Sequence, residues 1–315
     1  MTQIVLDGVI ENQRQEAEAE INRILGNFFA ETTNPIDAVI ITENFGEKIS
    51  ELTNSHFDAR HEYGQAAAKT IPSIKDDKLV FTIILDGKIF GRCLKEEMIF
   101  RSSILLHELT HVDYEYFVWE KIGTDEFFKK PSGCRDAILH NASAVWEEYD
   151  ASRVTMEFLA NLAKQFKGEV NDTMTSGNSQ QLYDTIKGIR NFVKQHIHDY
   201  MLYKISLGNL QYLVSLRIAS ALILWAYTVP AVGIDKKVTE IYAEIKKLED
   251  YSVFSENIKN IEAILQELYQ RRKEYLPELI AKIATEMELI IKKCGLTFTD
   301  LSNGSTYIHV EELSF

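Results

Sequence analysis

One short segment of the chain combines residue types that suit metal chemistry: His107-Glu108-Leu109-Thr110-His111. The residues around it favour a helix, and residues four apart on a helix share a face, so both imidazoles can point at one metal ion. Glu108 lies beside that face, where a carboxylate can hold a water molecule and accept its proton. Zinc lowers the pKa of a bound water toward neutrality, so the spacing predicts a hydrolytic zinc centre.

The segment also has a plainer interpretation, a helix that carries two surface histidines and no metal. The chain has 315 residues and 8 histidines. In such a composition the pattern arises by chance on the order of a few per cent of the time. Apolar residues 104–106 precede the motif, and a strand ending in Asp86-Gly87 lies upstream. This context favours the metal site.

On this motif and the preceding strand, the chain resembles the zincin metallopeptidases. In that family the motif helix packs under a small sheet, whose edge strand lines the cleft and pairs with an extended substrate. The resemblance covers roughly residues 35–165 and implies that residues 79–85 form that edge strand. It also implies a zinc-dependent peptidase with a peptide or protein substrate, in which Glu108 is the general base and then the proton donor.

Two nearby sources of a third metal ligand are excluded. The metzincin pattern requires Gly and His where this chain has Tyr114 and Phe117. Glu115 follows His111 by four residues, but it lies eight residues after His107. That separation is about 12 Å along a helix axis, too far for one ion to bind all three side chains.

A gluzincin takes its third ligand from a glutamate on a downstream helix, and residues 142–159 offer Glu147 and Glu148. The helical stripe through Glu148 is small and mostly apolar, with Ala144, Val145, Ala151, Ser152, Thr155 and Leu159. The stripe through Glu147 is mostly polar, with His140, Ser143, Asp150 and Val154. A carboxylate on a buried face needs a partner, which a metal supplies. Glu148 is therefore the predicted third ligand, and Glu147 is the alternative.

The Glu148-x-x-Ala151 step is also similar to the ligand helix of ImmA/IrrE-like proteins. A salt bridge from Glu148 to Arg153 or Arg135 is the interpretation that needs no metal.

Further polar residues are candidates for supporting roles. Asp113 stands where these enzymes commonly have an apolar residue, and it can accept a hydrogen bond from a metal-bound imidazole, as can Asp150 and Ser152. Tyr149, Arg153 and His140 are unranked candidates for stabilising a developing oxyanion. The remaining histidines show no ligand pattern: His196 and His198 are predicted to be solvated, and His56 and His61 lie in a polar segment.

The predicted fold class is α+β, with a small zincin-like sheet, the motif helix and the ligand helix, followed by a mostly helical C-terminal region. Strands are expected near 37–43, 79–85 and 305–310, and helices near 8–29, 46–53, 95–121 and 136–164, with a loop at 122–135. The polar segment 167–181 is the best boundary, dividing a metallopeptidase domain (1–170) from a helical domain (171–315).

The composition indicates which classes of binding partner and which cellular compartment to expect. The net charge of -13 argues against a nucleic-acid partner. The first residues lack the pattern of a signal peptide, and residues 213–234 are interrupted by Arg217 and Pro230, which favours a buried helix over a membrane span. Three scattered cysteines suit a reducing cytoplasm.

Two other functions stay open at this point. One is a regulatory or binding protein that keeps the zincin scaffold without general protease activity, although an intact Glu108 favours catalysis. The other is a helical scaffold without metal.

Overall fold

The computed structural model describes residues 2–7, 11–30, 32–55, 60–61, 64–65, 67–90, 95–166, 173–301 and 305–311. Its strands are β1 (Gln3–Asp7), β2 (Ile36–Thr42), β3 (Arg60–His61), β4 (Gly64–Gln65), β5 (Ala68–Lys75), β6 (Lys78–Asp86), β7 (Leu296–Asp300) and β8 (Thr306–Val310). Its helices are α1 (Glu11–Phe28), α2 (Phe45–Thr53), α3 (Gly87–Phe90), α4 (Lys95–Phe127), α5 (Cys134–Phe166), α6 (Thr173–Lys187), α7 (Ile189–Met201), α8 (Leu207–Thr228), α9 (Lys236–Ile245), α10 (Ser255–Gln270) and α11 (Pro277–Lys293). The predicted α+β class with a helical C-terminal region is confirmed.

The main sheet has four strands in the order β1-β2-β6-β5. Strands β1, β2 and β6 run parallel, and β5 returns antiparallel to β6. The interior strands are rich in β-branched and aromatic residues, and Val39, Ile41, Phe81 and Ile83 are fully buried. Such runs are typical of strands covered on both faces.

The prediction that residues 79–85 form the edge strand is wrong. They lie in β6, which is paired on both sides, by β2 and by β5. The edge strand next to β6 is β5. The sequence did not predict this strand, because Pro72 interrupts the apolar pattern and the C-terminal half of β5 is polar. Proline is tolerated at a sheet edge, since an edge strand has backbone groups with no ladder partner. The hairpin closes through Asp76 and Asp77, both with positive φ.

The motif helix α4 breaks at Gly123, two residues after its predicted end, because this residue adopts φ 76° and ψ 172°. One further helical turn follows, and the indole Nε1 of Trp119 donates to Thr124 Oγ1 across the break (3.1 Å). The predicted loop at 122–135 is therefore shorter than expected, since α4 extends to Phe127 and α5 begins at Cys134.

The described contacts divide the chain into two compact units. The first comprises Met1–Phe128 and Arg153–Gly168 and contains the main sheet, with α1 and α4 in contact. The second comprises Lys129–Ser152 and Glu169–Phe315, with α6, α7 and α11 against α8. The predicted boundary near residue 170 stays a prediction, because compactness does not show which segments fold independently.

The apolar segment near residue 220 forms helix α8. Among the described residues, one helix, over Leu207–Ala231, is long and apolar enough to cross a membrane, and 56% of its most apolar window is buried. A core helix meets the same criteria, and residues such as Leu222 and Trp225 are fully buried. The segment thus agrees with the predicted buried helix.

Candidate metal centre

Helix α4 places the motif residues by its own periodicity. Leu105, Leu109 and Val112 are fully buried, and α4 contacts strands β5 and β6. This packing fixes the rotation of the helix about its axis. His107 and His111, one turn apart, consequently project from one face, with their rings inclined at 75°.

The structure brings His107, His111 and Glu148 together. One candidate ligand atom from each residue lies within 4.8 Å of the other two. The Nε2 atoms of the two imidazoles are 3.1 Å apart. Ligand nitrogens at about 2.0–2.1 Å from a tetrahedral metal ion are separated by roughly 3.3 Å, so the observed spacing is compatible with two ligands of one ion. It is the only such group of three among the residues that the structure describes.

A hydrogen bond between the two rings is the other explanation of the 3.1 Å separation. One neutral imidazole would then donate from Nε2 to the lone pair of the other. That bond accounts for the histidine pair alone. The approach of the Glu148 carboxylate to both rings adds a third donor, and two imidazoles with one carboxylate make a ligand set well suited to catalytic zinc.

The two competing glutamates on α5 have different surroundings. The hydroxyl of Ser143 donates to Glu147 Oε1 at 3.0 Å, along the polar stripe expected from the sequence. Glu148 instead joins the histidines. Of the two arginines predicted as metal-free partners of Glu148, Arg153 also forms an ion pair with Glu157 (2.9 Å), and Arg135 is exposed. The salt-bridge alternative for Glu148 stays a prediction.

Glu108 is buried beside this cluster, with 8% of its surface exposed, and Thr70 is buried next to it. The Thr70 hydroxyl donates to Glu108 Oε2 at 2.7 Å. Thr70 lies on β5, so the edge strand holds the carboxylate of the predicted base. Thr70 was not among the site residues predicted from the sequence. The Asp76-Asp77 turn before a clear strand was the one signal that could have located β5, but it does not identify Thr70.

The residues predicted to support the metal ligands differ in burial. Asp113 is exposed on α4, whereas Ser152 and Asp150 are buried on α5. Asp150 Oδ2 accepts a hydrogen bond from Arg272 Nη2 at 3.0 Å. Tyr149 is buried, with its ring 6.4 Å from that of Trp146, and its role as an oxyanion donor stays a prediction.

The other predicted residues lie elsewhere. Glu115 is half-buried on α4, and it is outside the group of three. His140 and His198 are exposed, whereas His196 is half-buried. The centroid of the His196 ring lies 4.1 Å from that of Phe192, and its Nδ1 contacts the Phe192 carbonyl. His196 thus departs from the predicted solvated state. His56 and Cys93 lie outside the described residues, and Cys134 and Cys294 are buried.

Comparison of the chain with protein-family models, curated proteins and solved structures finds no match.

Proposed function

We propose that the protein is a zinc metallopeptidase of gluzincin type, within the zincin family. The observation that carries the proposal is the meeting of Glu148 with His107 and His111, 37 residues away in sequence from the nearer histidine. The helical repeat explains why His107 and His111 lie together, but it does not explain the position of Glu148. A third donor from a separate helix is what a metal site requires and a surface histidine pair does not.

Each residue has a distinct task in this proposal. His107, His111 and Glu148 hold the metal. Zinc, when bound, acts as a Lewis acid toward the scissile carbonyl and lowers the pKa of the attacking water. Glu108 takes the proton of that water and delivers it to the leaving amine. Thr70 keeps the Glu108 carboxylate in one orientation through its hydrogen bond.

The substrate class follows from the resemblance and the charge. A peptide or protein chain laid along the edge of the sheet would pair with β5, whose outer edge has no partner among the strands that the structure describes. The net charge of -13 disfavours a polyanion and is compatible with a neutral or basic polypeptide. We further propose a cytoplasmic location, a metallopeptidase domain over residues 1–170 and a helical domain over 171–315.

Metal analysis of four purified proteins tests the proposal. Wild type and Glu108→Gln are expected to hold near-stoichiometric zinc, because Glu108 is not a ligand. Glu148→Ala is expected to lose most of it, and Glu147→Ala, the matched control one residue away, to retain it. Wild type without zinc would overturn the metal site, and zinc that survives Glu148→Ala would move the third ligand elsewhere.

Peptide cleavage separates the enzyme from its rival. Wild type is expected to cleave members of a mixed library of quenched fluorescent peptides, and Glu108→Gln to be slower by about 10²-fold or more. Zinc binding without cleavage of any peptide would instead favour the regulatory or binding protein with a zincin scaffold.

A further inference from the structure

The ligand helix α5 is attached to the segment between α10 and α11 through an ion pair whose carboxylate is buried. Arg272 Nη2 lies 3.0 Å from Asp150 Oδ2, and the Asp150 side chain is 2% exposed, whereas the Arg272 side chain is 31% exposed. Arg272 follows α10, in the connection to α11. A buried carboxylate bound to a guanidinium is a strong local restraint, because separating the two leaves a costly charge in a dry environment.

The Asp150–Arg272 ion pair and the proposed metal ligand Glu148 lie on opposite faces of α5. Asp150 follows Glu148 by two residues, which corresponds to about 200° around a helix of 3.6 residues per turn. The two side chains therefore project from opposite faces of α5. Glu148 meets the histidines on one face, and Arg272 holds the other face through Asp150.

A second attachment holds the beginning of α5. The Asp300 carboxylate, at the end of β7, accepts hydrogen bonds from the backbone N–H groups of Cys134 (3.3 Å) and Arg135 (3.1 Å). A carboxylate at this position satisfies amides that have no partner within the helix and interacts favourably with its dipole. The approach is close, since a Cβ on Gly133 would lie 3.2 Å from Asp300 Oδ2.

The packing agrees with these two attachments. Residues Lys129–Ser152, which include Glu148, belong to the same compact unit as Glu169–Phe315. The remainder of α5, from Arg153 onward, belongs to the other unit. The segment that carries the third ligand is thus packed with the C-terminal helices.

We propose that Arg272 is a positioning residue for Glu148, and that one role of the C-terminal helical region is to hold the third metal ligand in place. The inference rests on the proposed function, since it requires Glu148 to bind zinc. A ligand held in its binding geometry loses little conformational freedom when the metal binds, so it gives a tighter site than a mobile one.

The zinc dissociation constant, measured by competition with a chromophoric chelator, tests this role. Arg272→Met is expected to weaken zinc binding by about 10- to 100-fold, the range for residues that support metal ligands. Arg271→Met is the matched control, because the neighbouring Arg271 pairs with Glu267 and Glu274 at the end of α10. The zinc dissociation constant of Arg271→Met should stay within about twofold of the wild-type value, because this proposal gives Arg271 no role in supporting a metal ligand. Arg272→Lys, which can keep one hydrogen bond to Asp150, should recover most of the affinity.

A double-mutant cycle separates positioning from general destabilisation. If Arg272 acts through Glu148, Arg272→Met should have no further effect on zinc affinity in the Glu148→Ala background. If Arg272→Met does not fold, Asp150→Leu/Arg272→Met replaces both charges with apolar side chains, which buried pairs often tolerate. That variant should fold and should still bind zinc about 10- to 100-fold more weakly.

The outcomes distinguish this role from the proposed function. A wild type that binds no zinc overturns both. Tight zinc binding by wild type, with an unchanged dissociation constant in Arg272→Met or its folded double variant, overturns the role of Arg272 alone. An equal loss of affinity with and without Glu148 also overturns it, because the effect would then not pass through that ligand.

Discussion

Thr70 on the edge strand donates its hydroxyl hydrogen to Oε2 of Glu108 at 2.7 Å, and both side chains are buried. The bond engages one carboxylate oxygen and so restrains the orientation of the carboxylate. The edge strand that would pair with a substrate is thereby linked directly to the proposed general base.

Replacing Thr70 with valine tests this link. Valine keeps the β-branched shape and the strand preference but removes the donor. We expect kcat to fall by about tenfold or more with little change in KM, because a poorly oriented base affects the chemical step more than binding. Zinc content should stay at the wild-type level.

Thr70→Ser is the matched control for the same position. It retains the hydroxyl and should keep kcat within a few-fold of wild type. Full activity in Thr70→Val would show that the hydrogen bond has no part in catalysis.

Removal of zinc is expected to lower thermal stability. A ligand that binds only the folded chain stabilises it by about 4 kcal/mol at a thousandfold excess over Kd. The unfolding midpoint should therefore fall when a chelator removes zinc and rise again as zinc is restored. Glu148→Ala should show little dependence on zinc, and an equal zinc response in this variant would contradict the assignment of the third ligand.

Stability is expected to decrease at alkaline pH. Burial raises the pKa of Tyr242 and of Tyr251, and it raises the pKa of the Cys294 thiol to about 12. The unfolded chain releases the thiol proton above about pH 9 and the phenol protons above about pH 10, whereas the folded chain keeps them. The free energy of unfolding therefore falls as pH rises. Urea unfolding from pH 8 to pH 11 measures the slope.

Tyr251→Phe should make this decline shallower, because one group that titrates differently in the two states is gone. Tyr203→Phe is the control, since the Tyr203 side chain is 94% exposed. Identical slopes in wild type and Tyr251→Phe would exclude a contribution from this buried phenol.

Two glycine-to-alanine changes should have opposite effects on stability. Gly26 lies in α1, where a Cβ would meet no atom within 4 Å. Its replacement should stabilise the protein by about 0.5–1 kcal/mol, since alanine loses less entropy in a helix. Gly133 has φ +94° and faces Asp300 closely, so its replacement should destabilise by about 1–2 kcal/mol. Chemical denaturation measures both, and a stabilising Gly133→Ala would contradict the close approach.

Local patterns predicted strands β2, β6 and β8, helices α1, α2, α4 and α5, and the helical character of the C-terminal region, but not strands β1 and β7. The β-branched run of β6 and the spacing of apolar residues in α1 both depend on neighbouring residues. Strand β5 was missed, because Pro72 and its polar end carry little strand preference of their own. Its structure depends on pairing with β6, which is a non-local contact.

The sequence alone determined the pairing of His107 with His111 and the side of α5 from which Glu148 projects, because helical periodicity relates residues a few positions apart. Tertiary structure decided which residues support them. Thr70 and Glu108 are 38 positions apart, Asp150 and Arg272 are 122 apart, and Arg135 and Asp300 are 165 apart. Contacts at such separations follow from the order of the strands and the packing of the helices, which no periodicity in the chain encodes.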